Sequence, residues 1–377
     1  MGKSFFFGVI ISASMSLWAG DPIADEAIVK EYLTPYKLGK PILAPSGVEG
    51  EFDQLAVDHP RVFVHNDRVY LMYIGYDGIS YQTALAVSDD MLHWQKLGIV
   101  FKRNASTNLW DKTGRAISGF LRNVNLWEPP TLTKKDGKYW LFYHAYPSKG
   151  YEGGAAANGI AWTTDESFLN WTCADKPVLE KSPDKNSWDG AGLYSVWCVP
   201  RDGTYWLYYN GKDQPHWPWH EQVGVCFAED DSLMNWKRYA HNPVCKVGDV
   251  GWNKNFTCGQ SILWDAKKKC WMRWFCGFDG CHAQNGVAIS RDGLDWQTFV
   301  KPVIPVGKPG EIDAIHAHKG EYIYFKGALW QFYCAVRPLH NDEERKKFKK
   351  KGWNEFRCLT IARSTPFTEE EKSSVKQ

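Results

Sequence analysis

The stretch from Phe52 to Tyr76, FDQLAVDHPRVFVHNDRVYLMYIGY, decides the fold. It opens with acidic residues, alternates apolar and polar side chains, turns at Asn66-Asp67 and continues into an aromatic second half. Alternation on both sides of a two-residue turn is typical of a β-hairpin. The stretch therefore predicts two antiparallel strands joined by a tight turn.

The same layout returns along most of the chain. The further copies begin at Leu126, Trp188, Asn255 and Glu311. After the first four hairpins comes a short strand, an acidic turn and a tryptophan that opens the next strand; these residues are Trp94, Trp171, Trp236 and Trp296. Four strands per repeat with a recurring turn-and-tryptophan signature are typical of a propeller blade. The sequence predicts an all-β, five-bladed β-propeller with four-stranded blades.

The fifth repeat ends without its tryptophan-bearing fourth strand. We predict that Lys40 to Leu43 supplies it by pairing with Leu359 to Ala362, which closes the ring and removes the exposed sheet edges. The propeller then spans residues 40–366, preceded by an extension over 21–39 and followed by a tail over 367–377. Residues 103–125 are rich in Gly, Ser and Asn and predict a long loop. The charged run 341–351 predicts a surface helix or loop.

The first twenty residues have the order of a secretory signal peptide. Lys3 precedes an apolar run from Phe5 to Trp18, and small residues precede Asp21. A secreted or periplasmic protein is the expectation, with a buried N-terminal strand as the alternative. The ten cysteines form no CxxC pair and mostly lie in strand patterns, so few disulfides are expected.

Composition and motifs limit the function. The formal net charge is +2, which gives no electrostatic argument for nucleic acid or an anionic membrane as partner. Aromatic residues make up 15% of the chain and suit either a strand-rich core or a sugar ligand. Nucleotide-binding, zinc-protease and serine-hydrolase motifs are absent from the sequence. No cofactor and no zinc site are expected; a structural calcium or sodium ion in the channel stays open.

Acidic residues recur where the first strand of each repeat begins. In a propeller these positions gather at one mouth of the central channel, so the repeats can be compared directly. The recurring residues are Asp53, Asp58, Glu128, Asp189, Glu311 and Asp313, with His316 and His318 beside the last pair. Carboxylates that are brought together shift one another's pKa, and this provides the acid and the base that cleavage of a glycosidic bond requires.

The chain resembles the five-bladed propeller glycosidases, the group that includes arabinanases, xylosidases, fructan hydrolases and mannoside phosphorylases. The blade repeats, VDHPRVF at Val57 and SDDMLHW at Ser88 carry the resemblance over residues 40–366. It implies that Asp58 is the general base or nucleophile. It also implies that Asp189 tunes the acid and that Glu128 binds substrate or acts as an acid.

One position departs from that family pattern. Where these enzymes commonly have the general-acid glutamate, this chain has Thr257-Cys258-Gly259-Gln260. His318 is our first substitute as proton donor because imidazole titrates near neutrality, and Glu128 and Asp313 are further ones. The alternative is a carbohydrate-binding propeller without catalysis. A phosphorylase is a third hypothesis, with Arg115, Arg122 and Lys319 as phosphate ligands.

Further residues are predicted to shape a sugar pocket. Most lie in turns between the second and third strands or at strand starts. The substrate-binding set is Asp53, Tyr76, Gln82, Trp127, Tyr194, His220, Glu221, Gln260 and His316, with Tyr151 and Glu152 in a similar turn. The sequence thus predicts a secreted, exo-acting, inverting glycoside hydrolase whose partner is an oligo- or polysaccharide.

Overall fold

The computed structural model describes residues 21–103, 109–348 and 352–375, apart from the side chain of Gln260. The predicted signal peptide lies outside these residues. The helices within them are short: α1 Glu26–Val29, a 3-10 turn Lys30–Tyr32, α2 Asp342–Lys347 and α3 Glu369–Ser374. None of these described helices is long and apolar enough to cross a membrane. The chain is otherwise built from strands and turns, which confirms the all-β class.

The described residues contain twenty strands. They are β1 Tyr36–Lys37, β2 Ala56–His65, β3 Arg68–Tyr76, β4 Tyr81–Ser88, β5 Gln95–Phe101, β6 Gly114–Phe120, β7 Tyr139–Tyr146, β8 Ala157–Thr163, β9 Thr172–Cys173, β10 Gly192–Arg201, β11 Thr204–Lys212, β12 Glu221–Ala228, β13 Trp236–Arg238, β14 Phe256–Asp265, β15 Cys270–Phe278, β16 Ala283–Ser290, β17 Gln297–Thr298, β18 His316–Phe325, β19 Ala328–Pro338 and β20 Glu355–Arg363. Antiparallel pairing groups them into units: unit one is β2–β5, unit two β6–β9, unit three β10–β13, unit four β14–β17, and unit five β18–β20 with β1.

The N-terminal segment completes unit five. Strand β1 pairs antiparallel with β20. Further along, the Leu38 amide donates to the Ile361 carbonyl (2.9 Å), and the Leu359 amide donates to the Leu43 carbonyl (2.9 Å). The Ile42 amide also donates to the Leu359 carbonyl, at 2.8 Å. The predicted pairing of Lys40 to Leu43 with the strand at Leu359 is confirmed.

The recurring tryptophan has a structural cause. In each acidic turn one residue has positive φ, as Met91 does at 67°, and the indole N–H then donates to a carbonyl of the same turn. The four contacts are Trp94 to Met91 (3.0 Å), Trp171 to Phe168 (2.7 Å), Trp236 to Leu233 (2.9 Å) and Trp296 to Gly293 (3.0 Å). The motif locks the turn that leads into the outer strand.

Unit two departs from the prediction. Its first strand is β6, within the segment that was predicted to be a long loop, and the predicted strand at Leu126 is wrong. Gly and Ser in GRAISGF hide the alternation that marks the other first strands. The residues after β6 leave the sheet, and Asn125 forms a parallel bridge with Trp264, near the end of β14. This segment therefore lies at the opposite end of the first strands from their starts.

The first strands surround a central space. Strand β2 contacts β6 and β18, while β10 contacts β6 and β14, and β14 also contacts β18. Between neighbouring units the interfaces are aromatic. The ring pairs are Phe63–Phe120, Phe142–Trp236, Tyr208–Trp296, Trp274–Tyr322 and Trp94–Phe332. We call the end of the central space where the first strands begin the mouth.

Candidate active site

Every first strand carries a β-bulge near its start. The register shifts around residues 59–60 in β2, 118 in β6, 194–195 in β10, 259–260 in β14 and 319–320 in β18. A bulge leaves residues out of the ladder and re-aims their side chains. Residues from four of these bulges, His59, Ser195, Gly259 and Lys319, line one narrow pocket at the mouth.

Three bulge residues have a left-handed backbone: His59 at φ 53°, Gly259 at φ 60° and Lys319 at φ 54°. Glycine adopts this conformation without penalty, whereas for a histidine or a lysine it costs on the order of 1–3 kcal/mol. The Asp58 carboxylate offsets the cost at both positions. Its Oδ1 accepts from the His59 backbone amide at 2.7 Å, and its Oδ2 accepts from Lys319 Nζ at 2.8 Å.

The pocket walls are aromatic and imidazole rings. They include Tyr81, Tyr146, Tyr194, His59 and His144. Burial, followed by the nearby Arg61 charge, lowers the pKa of His59 well below its usual range. Burial and the Lys319 charge lower the pKa of His144 to about 3. Both imidazoles are therefore neutral at physiological pH and can exchange hydrogen bonds with hydroxyl groups.

Two carboxylates, Glu152 and Glu221, line the same pocket. Burial and the negative charge of Glu152 raise the pKa of Glu221 to about 7. The indole N–H of Trp219 donates to Glu221 Oε1 at 3.1 Å and opposes the shift, as do the charges of Lys212 and Lys319. Glu221 therefore keeps a substantial protonated fraction at neutral pH, as a general acid must.

Asp58 lies beneath the pocket rather than on its lining. Its Oδ2 accepts from Lys319 Nζ (2.8 Å) and from Arg357 Nη1 (3.1 Å). Burial would raise the pKa of Asp58, but these two cations outweigh burial and hold it well below its usual range. Asp58 is a permanent anion that fixes two cations.

His318 does not have the geometry of a proton donor. Its Nε2 lies 3.2 Å from Arg357 Nη1, which can only donate, so Nδ1 carries the proton and donates to the Cys334 carbonyl at 3.2 Å. Burial lowers the pKa of His318 well below its usual range. Its ring nitrogen lies within 4.8 Å of an Asp58 oxygen, short of the roughly 6.5–9.5 Å expected for an inverting pair.

Asp58, His318 and Cys334 bring three potential metal ligands within 4.8 Å of one another. The set does not fit a cation. Asp58 Oδ2 already accepts from both Lys319 and Arg357, and both ring nitrogens of His318 are engaged. Lys319 and Arg357 thus take the place that a bound cation would have beside Asp58.

Three of the predicted catalytic or binding carboxylates bind side chains within their own unit. Asp53 accepts from Lys96 at 2.5 Å. The other two each bind a tyrosine of the second strand and a cation. Asp189 accepts from the Tyr209 hydroxyl (3.0 Å) and Arg238 (3.2 Å), and Asp313 from the Tyr333 hydroxyl (3.0 Å) and Lys37 (2.8 Å). None of the three lines the pocket, so the structure does not support their predicted roles.

Glu128 and Trp127 lie away from the mouth. Glu128 is exposed and accepts from Asn123 and Asn125, both at 2.7 Å. The Trp127 indole donates to Asp265, the last residue of β14, at 3.0 Å. Their predicted roles at the substrate depended on the misplaced strand of unit two.

The remaining predicted residues divide between the pocket and its surroundings. Tyr194 and Glu221 line the pocket. The others do not line it. Tyr76 packs on Tyr81, Tyr151 and Trp353, and Gln82 accepts from the Arg103 amide at 3.0 Å. His220 Nδ1 lies 2.8 Å from Asp213, and His316 Nδ1 accepts from the Ala283 amide at 3.0 Å. Gln260 belongs to the bulge of β14, and its side chain lies outside the described part of the chain.

A buried ionic cluster lies next to the pocket. Glu321 lies 2.7 Å from Arg122 and 3.3 Å from Arg61. Arg61 also donates to the Ser195 hydroxyl at 3.1 Å, and both guanidinium groups lie over the Trp197 ring. Ser195 thereby links the pocket lining to this cluster.

Sequence reasoning missed His59, His144, Tyr81, Tyr146, Asn210 and Arg357 as site residues. A usable signal existed for His59, because His-Pro inside a strand pattern indicates a bulge. Tyr81 and Tyr146 flank the same turns that supplied Tyr76 and Glu152, so a wider reading of those turns would have found them. Nothing local distinguishes Arg357 from any other strand cation.

Comparison with known proteins finds a family match over part of the chain and solved structures with the same fold. Residues 123–305 match the model of the "Glycosyl hydrolases family 32 N-terminal domain", a segment that contains Glu152 and Glu221. Over this segment the chain is similar to a family of glycoside hydrolases. This match confirms the predicted resemblance to glycoside hydrolases and, with it, the prediction of a glycoside hydrolase.

Solved structures that are described as glycoside hydrolases or glycosidases share the fold. One, described as a complex with RGII, is 24% identical, covers 91% of this chain and 95% of its own, and superposes with a TM-score of 0.73. A thermostable family-43 glycoside hydrolase is 13% identical over 84% of this chain and 91% of its own (TM-score 0.58). A glycosidase structure from Bacteroides thetaiotaomicron is 14% identical over 90% and 99% (TM-score 0.61). A sequence search of curated proteins finds no match.

Proposed function

We propose that this propeller glycoside hydrolase uses Glu221 as its general acid. The observation that carries the proposal is the pKa of Glu221, raised to about 7 by burial and by Glu152. A carboxylic acid that stays protonated near neutral pH can protonate the leaving glycosidic oxygen. Trp219 holds Oε1, which leaves Oε2 to carry the proton.

Glu152 is the proposed second carboxylate. It lines the same pocket as Glu221, whereas Asp58 lies behind Lys319 with its oxygens engaged. Glu152 therefore replaces Asp58 as our proposed base, and Asp58 becomes a positioning residue for Lys319. Inversion remains the predicted stereochemical outcome, and ¹H NMR of the anomer released first checks it.

The pocket suits the end of a glycan. We place its floor at the Arg61–Glu321–Arg122 cluster, which contacts the pocket residue Ser195, and a floor closed there would keep a polysaccharide from passing through the central space. Neutral imidazoles, tyrosines and Asn210 supply hydrogen-bonding groups for sugar hydroxyls. We propose exo-action on an oligosaccharide, with no nucleic acid or membrane as partner. Because a structural relative is described in complex with RGII, an oligosaccharide prepared from RGII is the first probe, and we call it the RGII oligosaccharide.

Three further parts of the sequence-based prediction are kept as proposals. We propose that the five units are the blades of one ring that the N-terminal segment closes, since their first strands contact one another in succession. We propose that residues 1–20 direct export, which would place the enzyme outside the cytoplasm with its glycan. No cofactor is proposed.

The alternatives are less well supported. A sugar-binding propeller without an acid was suggested by Thr257-Cys258-Gly259-Gln260, but Glu221 now supplies the acid from unit three. A phosphorylase needs a free cationic site. Arg115 is bound to Asp111 at 2.7 Å, Arg122 to Glu321 at 2.7 Å and Lys319 to Asp58 at 2.8 Å, which leaves none of the three suggested cations unpaired.

Activity assays with matched variants test the proposal. The protein is incubated with the RGII oligosaccharide and a panel of aryl glycosides, and released sugar is identified by chromatography. Glu221→Gln should lower kcat on the oligosaccharide by roughly 10²–10⁴-fold, and wild-type activity should fall as pH rises through about 7, where Glu221 loses its proton. Glu128→Gln, a change to an exposed residue away from the mouth, is the control. Equal loss in both variants, or none in either, contradicts the assignment.

A further inference from the structure

Beside the pocket lies a loop of which the proposed chemistry uses only Trp219. Residues 213–220, DQPHWPWH, join β11 to β12 and are called the aromatic loop. The carboxylate of Asp213 accepts from the His220 backbone amide at 2.9 Å and pairs with its Nδ1 at 2.8 Å, and Gln214 donates to the Pro218 carbonyl. These contacts tie the two ends of the loop together and present its tryptophans as an ordered unit.

The aromatic loop adjoins the general acid. Trp219 donates to Glu221 Oε1 at 3.1 Å, and its ring stacks on Phe256 with centroids 5.8 Å apart. The ammonium of Lys212 lies 3.8 Å from the Trp219 ring centroid. Trp219 is therefore committed to positioning Glu221 and to packing, and is not available as a flat surface for a ligand.

Trp217 is different because it is 51% exposed. Its ring stands perpendicular to Trp219 (86°, centroids 5.2 Å apart) and to Phe256 (86°, 6.3 Å). Phe278 supports it at 6.0 Å. Edge-to-face contacts hold the ring without covering it, and burying so large an apolar surface on a ligand is favourable.

The chemistry of the acid decides which part of a substrate meets this ring. Glu221 must reach the glycosidic oxygen, so the sugar that leaves with that oxygen lies on the Glu221 side of the cleaved bond. Trp219 connects Glu221 directly to the aromatic loop. We propose that Trp217 is the stacking surface of a leaving-group subsite, which binds the face of the sugar ring beyond the scissile bond. This inference rests on the proposed hydrolase and names its specificity element.

A comparison of two substrates tests the proposal. The first is the RGII oligosaccharide; the second is the fluoride of the sugar that the wild type releases, which carries no leaving sugar and needs little protonation. Trp217→Ala should lose about 10–100-fold in kcat/KM on the oligosaccharide, as the loss of one stacked ring predicts, and less than about twofold on the fluoride. Tyr36→Ala, which removes another exposed aromatic on the N-terminal strand, should change neither.

Binding without turnover separates the two proposals. The RGII oligosaccharide is titrated into Glu221→Gln and into Glu221→Gln with Trp217→Ala, and tryptophan fluorescence and calorimetry are recorded. A weaker Kd in the double variant supports the subsite even if the wild type cleaves nothing, which would overturn only the hydrolase. Equal affinity, or an equal effect of Trp217→Ala on both substrates, overturns the subsite. Burial of Trp217 by self-association, seen as concentration-dependent scattering that the variant abolishes, would also overturn it.

Discussion

At the residue scale, the pKa of Glu221 depends on contacts that are distant in sequence. Its shift comes from burial and from Glu152, a residue of another unit. A glutamate in the same WHEQVG sequence on an open surface would titrate near its usual value. The chemistry of this side chain is therefore a property of the folded pocket.

The same shift predicts how stability depends on pH. Because the folded pKa of Glu221 (about 7) lies above its ordinary value of 4.5, protonation favours the folded state below that value, and the benefit is lost as pH rises through about 7. Glu221→Gln should unfold like the wild type at pH 4 and be more stable at pH 9 by up to about 3 kcal/mol. Urea denaturation at both pH values measures the stability of the two proteins. The control, Glu128→Gln, should differ from the wild type by the same amount at both pH values.

Asp58 makes the opposite prediction. Its pKa is depressed by Lys319 and Arg357, so its stabilisation is present above its ordinary pKa and is lost in acid. Asp58→Asn leaves two buried cations without their anion and should cost about 3–5 kcal/mol at pH 7.

The control for Asp58→Asn is an exposed ion pair. Asp89 pairs with Arg68 at 2.8 Å, and Asp89→Asn should cost less than about 1 kcal/mol. Chemical denaturation compares the two variants at pH 7 and in acid. An Asp58→Asn protein as stable as the Asp89→Asn protein would show that the buried cluster contributes no net stability.

At the scale of elements, repetition has two origins. The aspartates before the first strands of units three and five recur because each binds a tyrosine of the second strand of its unit, as Asp189 does with Tyr209. Unit four carries Asn253 and Phe275 at the corresponding places, and there Asn253 donates to Asp249 instead. The bulges recur for a different reason, since they turn residues of the first strands toward the pocket.

Asp189→Asn separates a structural role from a catalytic one. The change weakens the contacts to Tyr209 and Arg238 and should lower stability by roughly 1–3 kcal/mol. The kcat of the folded fraction should not change, because Asp189 does not line the pocket. Thermal unfolding measures the stability of the variant. Its kcat is measured at a temperature 20 °C lower than its own Tm, where the protein is folded. A large loss of kcat in a fully folded variant would restore the catalytic role that the family resemblance implies.

At the scale of the whole molecule, the N-terminal segment joins the two ends of the chain. Leu38 is buried, and its amide donates to Ile361 of β20. Tyr36, two residues earlier, is 43% exposed and pairs with the same strand through its backbone. The stability of unit five should therefore depend on one of these side chains and not on the other.

Leu38→Ala should destabilise the protein by about 2–5 kcal/mol, the usual cost of truncating a buried leucine. Tyr36→Ala should cost less than about 1 kcal/mol. Differential scanning calorimetry of the two variants gives the comparison. Equal Tm values for both would mean that the N-terminal strand contributes little to the folded state.

The sequence by itself determined the all-β class and most of the hairpins, and it left most of the site to the tertiary structure. Alternation, the two-residue turns and the tryptophan signature act over a few residues, so the hairpins were predictable. The pairing of Leu43 with Leu359 was predictable because the fifth repeat lacks a fourth strand of its own. The pocket joins Glu152, Glu221 and Lys319 from three units. A carboxylate that binds a tyrosine and a cation has the same local sequence pattern as one that faces a pocket. The two differ only in which residues, far along the chain, lie close to them in the folded protein. That is why Asp53, Asp189 and Asp313 were predicted to act on substrate, whereas the structure shows each bound to side chains of its own unit and shows Glu221 in the pocket.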